Sequence, residues 1–190
     1  IGWSDAAGTA GLLIVVPHQR GIRTLTLPDG RLVALVPDTD AAWGYFADAV
    51  SPNEQPIAHW TGFDAGVMRS TAPSAVTARL SHRLHDLHHT FTTTVQIPAQ
   101  GTSLKTVSAY VGFQYAVYED WSMAYRDYRR WLATDDAQHL MQACAYQADD
   151  VQAMLVVWAW LNGQQGRSVR KESAIIPVPG GALPVASAAR

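Results

Sequence analysis

The sequence predicts a helix-dominated α+β fold: a long antiparallel helical hairpin packed with a small antiparallel β-sheet and two shorter helices. Three observations carry that expectation. Apolar and aromatic residues recur at alternating spacings of 3 and 4 from Leu104 to Leu132, the seam of a helix that buries one stripe. The same spacing returns from Leu140 to Leu161. In the first hundred residues, short apolar runs are punctuated by proline and glycine, which is strand-and-turn chemistry.

Ile1 to Gly11 is small, polar and glycine-rich, and is expected to form an N-terminal arm. A single α+β domain is expected over 12–163, with sheet and short helices over 12–102 and the helical hairpin over 103–163. Leu12 to Val16, stopped by Pro17, is a short buried strand. Ile22–Leu27 and Arg31–Val36 flank Pro28-Asp29-Gly30. Proline presets φ and glycine accepts the left-handed position, so this is a β-hairpin. Both sets of alternating residues in Leu32–Val36 are apolar, so both faces of that strand should be covered.

Asp38 or Thr39 caps a helix to Val50 whose apolar face is Trp43, Phe46, Ala47 and Val50. Ser51–Arg69, with two prolines, two glycines, Trp60 and Phe63, is expected to be a long irregular loop. Pro73 suits the first turn of a helix reaching about Thr90. The alternation from Phe91 to Ile97 predicts a half-buried strand that joins the N-terminal hairpin.

In the central hairpin, Thr102 or Ser103 caps the first arm, while Thr134, Asp135 and Asp136 form the turn. Gly163 would end the second arm. Placing Tyr128 opposite Cys144 sets Trp121 against Val151 and Gln114 against Trp158, and requires both seam amides, Gln114 and Gln147, to find hydrogen-bond partners. Beyond Gly163, residues 164–190 contain prolines and apolar residues without helical period and are expected to form a C-terminal extended arm.

Charged residues make up 16% of the 190 and apolar residues 48%, with seven tryptophans; a typical soluble domain is about 25% charged. Between Val151 and Leu161 only Gln152 is polar, so that segment needs cover on all sides. A surplus of apolar surface points to protein partners. The expected interface is Met154, Val157, Trp158 and Trp160, with Ile175, Ile176, Val178 and Leu183 from the arm. The reading that follows is a non-enzymatic structural or interaction subunit, homo-oligomeric or within a multi-subunit assembly, in the cytoplasm or in a particle such as a virion. No cofactor is expected. The apolar run is too short to span a bilayer, and the chain opens on Ile1 with its true start possibly removed.

Two alternatives come from other residues. Arg126, Arg129 and Arg130 interleave with Tyr125, Tyr128 and Trp131, and Arg167, Arg170 and Lys171 follow later. Such a set could hold phosphates and stack bases, making a nucleic-acid-binding protein. The net charge of −2 supplies no global pull towards nucleic acid. On a continuous helix, His82, His85 and His89 would share one face and could chelate a divalent metal, as in a metal-dependent enzyme. Cys144, the single cysteine, falls on the helix seam and reads as core. No phosphate-cradling loop or nucleophile elbow is present.

Overall fold

A computed structural model describes residues 1–4, 11–15, 23–26, 32–52, 54–117 and 120–165. Over these the chain is helix-dominated, with seven α-helices and six short strands.

The core is organised by one strand. β4 (Leu32–Leu35) lies between β2 (Gly11–Val15) and β3 (Arg23–Thr26), and β1 (Gly2–Ser4) completes the order β1-β2-β4-β3. β3 and β4 pair antiparallel, with Thr26 opposite Leu32, across the Pro-Asp-Gly stretch. β2 and β4 run parallel. The sheet is therefore not the purely antiparallel one expected, and Gly2–Ser4, read as part of an arm, pairs with β2.

Side chains alternate across a strand, and β4 uses both faces. Ala34 and Val36 meet Trp43, Phe46, Ala47 and Val50 of α1 (Thr39–Val50), together with Met68 and Leu80. Val33 and Leu35 meet Trp131, Leu140, Cys144 and Ala148 on the other side. The sheet is thus sandwiched between helical layers, and the two-faced apolar pattern of Leu32–Val36 has this cause. α1 starts where Asp38 Oδ1 accepts the Ala41 N–H at 2.7 Å.

The long hairpin is not found as read. Its first arm breaks into α5 (Leu104–Tyr110) and α6 (Trp121–Thr134). The break begins at Gly112, whose φ of +97° no helix accommodates. α7 (Ala137–Gln165) runs past Gly163 and follows α6 after a turn in which Asp135 is left-handed, φ +61°. α6 packs on the first half of α7 and α5 on the second, through Leu104, Val107 and Val111. Gln114 and Gln147 are both exposed, which rules out the full register proposed from the seam, although Tyr128 and Cys144 do share a cluster near the turn.

The segment 51–97 departs most from expectation. The supposed loop contains β5 (Ile57–His59) and α2 (Gly62–Thr71). The supposed single helix 73–90 is α3 (Ser74–Leu80), a 3-10 turn, β6 (Leu84–Asp86) and the start of α4 (Leu87–Thr94). The expected strand at 91–97 begins inside α4. Leu80, Leu87 and Phe91 are nevertheless buried: the apolar spacing marked burial correctly while the backbone bent to let β6 pair parallel with β5. Arg83 holds this bend, donating from Nη2 to the Val50 carbonyl at 2.9 Å and to the Gln55 carbonyl at 2.9 Å.

Met154, Val157, Trp158 and Trp160, expected at an interface, pack within the chain against Trp60, Leu87, Phe91 and Leu161, with Val157 fully buried. Ile175, Ile176, Val178 and Leu183 lie outside the described residues, as does the whole C-terminal arm beyond Gln165. No described helix is long and apolar enough to cross a membrane.

Candidate active site

β5 and β6 are parallel and in register, with His59 opposite Asp86. Their carboxyl ends therefore lie side by side, and a helix starts from each. Ligands of open α/β folds collect outside such strand ends.

The β5 end is a constrained turn. Thr61 has φ +68° and ψ 169°, a region open essentially only to glycine. Two contacts hold it: buried His59 donates from Nδ1 to the Thr61 carbonyl at 2.6 Å, and Thr61 Oγ1 accepts from the Phe63 N–H at 3.4 Å. This turn sets Asp64 in the first turn of α2, beside Phe63, which is 73% exposed. At the β6 end, Asp86 caps α4 by accepting the His89 N–H at 2.9 Å.

Asp149 and Asp150 come from the middle of α7. Tyr115, in the loop between α5 and α6, donates its hydroxyl to Asp150 Oδ1 at 2.7 Å. The Ala116 N–H donates to Asp149 Oδ2 at 2.8 Å. The broken first arm thus has a use: the loop it leaves reaches the α7 acids. Lys105 of α5 sits over the rings of Tyr115 and Tyr146, 5.0 and 4.7 Å from their centroids.

Electrostatics tie these pieces together. The Asp64 carboxyl is raised above its ordinary value, first by desolvation; His59 and the Trp60 backbone oppose the rise, and Asp86 adds to it. Asp150 is raised by desolvation as well, and Asp149 and Asp64 push it further, against the Tyr115 hydrogen bond and the Lys105 charge. Asp64, far from Asp150 in the sequence, thus adds to the rise at Asp150. Among the described residues no ion pair reaches either one. Burial and the neighbouring acids also push the Tyr146 phenol up to about 12 and the Tyr115 phenol up strongly.

The structure disperses the histidine set. His82 lies in the 3-10 turn, His85 on β6 and His89 on α4, so they share no helix face. His85 Nε2 meets Thr90 Oγ1 at 3.0 Å, and its ring packs edge-on against Trp158. Among the described residues no group of three His, Cys, Asp or Glu stands ready to hold a metal ion. Arg126, Arg129 and Arg130 are exposed on α6, whereas Arg167, Arg170 and Lys171 lie outside the described residues.

Sequence reasoning missed Asp64 and Asp150, and set Asp86 with the histidines on one helix face rather than at a strand end. Asp64 looks like an ordinary first-turn acid that complements a helix dipole. Asp149-Asp150 did carry a signal: an acidic pair inside an otherwise apolar helix, next to the buried positions Ala148 and Val151.

No curated protein and no solved structure matches the chain. A family profile described as RNase H superfamily matches residues 34–162, from β4 through nearly all of α7, and so spans Asp64, Asp86 and Asp150. The match overturns the expectation of a non-enzymatic structural subunit, because it points to a nuclease family. It also overturns the expectation of no cofactor, since members of that superfamily typically use divalent metal ions. Of the partners expected, it favours nucleic acid over other protein subunits. With well over half of its length matched, the chain belongs to the RNase H superfamily.

Proposed function

We propose that this chain hydrolyses phosphodiester bonds in nucleic acid, with Asp64 and Asp150 as the acids that hold a divalent cation. The observation that carries the reading is a pair of partly buried acids within the matched stretch, Asp64 in the first turn of α2 just after β5 and Asp150 on α7, both raised by desolvation and with Asp64 adding to the rise at Asp150. Two desolvated acids that repel each other are poorly placed on their own and well placed around a cation. Their oxygens are hard donors, and a magnesium-type site needs only one or two carboxylates when water and substrate phosphates complete it. The residues present therefore fit such an ion. When bound, it would supply a Lewis acid for the phosphate and lower the pKa of an attacking water.

The remaining work falls to the chain. Tyr115 fixes the rotamer of Asp150 through its 2.7 Å hydrogen bond. Lys105 offsets part of the negative charge there. Asp86 keeps α4 anchored at the strand end while adding negative potential beside Asp64.

The test is release of labelled nucleotides from single- and double-stranded DNA and RNA, with magnesium or manganese and then with chelator. Asp64→Asn and Asp150→Asn should each reduce the metal-dependent rate on the order of a thousandfold, since such a cation is worth several kcal/mol at the transition state. Activity that survives both substitutions, or that chelator does not touch, would refute the assignment.

A further inference from the structure

One face of α6 is unlike the rest of the surface. Trp121 is 65% exposed and Tyr125 50% exposed, large apolar area to leave in water. Their rings lie 6.0 Å apart, and the series continues to Tyr128 at 6.3 Å and Trp131 at 6.0 Å, where it enters the core. The two outer rings border a cleft of about 240 Å³, whose opposite wall is Leu140, Cys144, Tyr146 and Gln147 of α7.

One side chain links this cleft to the candidate active site. Tyr146 lines it, and the Tyr146 ring lies 6.0 Å from that of Tyr115, whose hydroxyl is bonded to Asp150. Charge also suits a polyanion. Arg126 follows Tyr125 directly, and Arg129 lies one turn further on the same flank. Both are exposed, and neither pairs with a carboxylate among the described residues; Arg130 instead reaches Asp127 at 3.6 Å.

We propose that Trp121 and Tyr125 form a stacking track for unpaired nucleobases along α6, leading into the cleft beside Tyr146, with Arg126 and Arg129 on the phosphates. The inference rests on the nucleic-acid reading above and specifies how the strand is held. Exposed rings offer their faces to any base, whereas a base inside a duplex has no free face to give. Each ring stacked in this way is worth about tenfold or more in affinity.

The experiment measures binding of a short fluorescent oligothymidylate, and of a duplex, to the full chain in chelator, where no metal-dependent cleavage intervenes. The single strand should bind more tightly than the duplex. Trp121→Ala with Tyr125→Ala should weaken single-strand binding by about a hundredfold or more, and Trp121→Phe should restore part of the loss. Arg126→Ala with Arg129→Ala should lower the salt slope of binding by roughly 1.4, two phosphates' worth on a single strand. Both pairs are exposed, and melting curves will verify that the variants fold. Single-strand affinity within twofold of the parent in the Trp121/Tyr125 variant, or equal losses on duplex, would overturn the proposal. The outcomes separate cleanly from those of the nuclease test. Ring-dependent binding without hydrolysis supports the track and sinks the nuclease; hydrolysis with ring-independent binding does the reverse.

Discussion

Asp127 and Asp150 sit on successive helices, α6 and α7, and the molecule treats them in opposite ways. Asp127 is 6% exposed and held by N–H donors: His139 donates from Nδ1 at 2.8 Å, and the Arg130 guanidinium stands at 3.6 Å. Asp150 receives a neutral hydroxyl and is raised by desolvation, with the Lys105 charge set against two further acids, Asp149 and Asp64. A buried carboxylate bonded to a histidine N–H and flanked by an arginine is a fastener for the α6–α7 turn. A carboxylate crowded by its own kind costs stability, and persists where an ion or a charged substrate is to be held.

That contrast can be broken most forcefully with metal. If Asp64 and Asp150 share a cation, saturating magnesium or manganese at about a hundred times its dissociation constant should stabilise the chain by about 2.7 kcal/mol in thermal melts. The shift should vanish in the Asp64→Asn/Asp150→Asn double variant and persist in Asp127→Asn. Next in size is the sign of two substitutions. Asp127→Ala should cost about 2 kcal/mol in urea unfolding, because it strips a charged hydrogen bond from His139. Asp150→Asn should instead stabilise the metal-free chain by about 1 kcal/mol, as relief of a strained site commonly does. Equal losses from both would erase the distinction.

The smallest effect is in pH. Folding raises Asp64 and Asp150 above the ordinary 3.8, so the native state binds their protons more tightly than the unfolded chain does. Stability of the metal-free protein should therefore fall as pH rises from 3.8 through the folded value, and level off above it. The Asp64→Asn/Asp150→Asn chain should show a flatter curve over that window. A wild-type curve that rises there would contradict the charge crowding.

Much of the core was legible in the sequence, and the site was not. The pairing of β3 with β4 and the Asp38 cap join residues close in the chain, and the apolar run at 32–36 shows its two-sided burial in its own composition, whatever covers it. β5 and β6 are three residues each, too short for any period to register, and each exists because the other lies beside it. The heptad seam from Leu104 to Leu132 was a real burial signal read through the wrong backbone, since nothing in the spacing reveals that Gly112 turns left-handed. Treating His82–His89 as one helix likewise put the histidines and Asp86 on one face, whereas the bend at Arg83 delivers Asp86 to the strand end. The acids proposed to hold the cation, Asp64 and Asp150, are far apart in the chain, so no local pattern pairs them.

Thr61 has a consequence of its own. A branched residue in glycine's territory is a spring held shut by the His59 ring and the walls around it. Swapping in glycine would ease the spring and toughen the chain against heat, yet it would also let the start of α2 swing, and Asp64 with it. A catalyst's aim is commonly spoiled by shifts of about an ångström. The awkward backbone at Thr61 can thus be seen as a gunsight mount: costly to hold in place, and the reason the barrel points where it does.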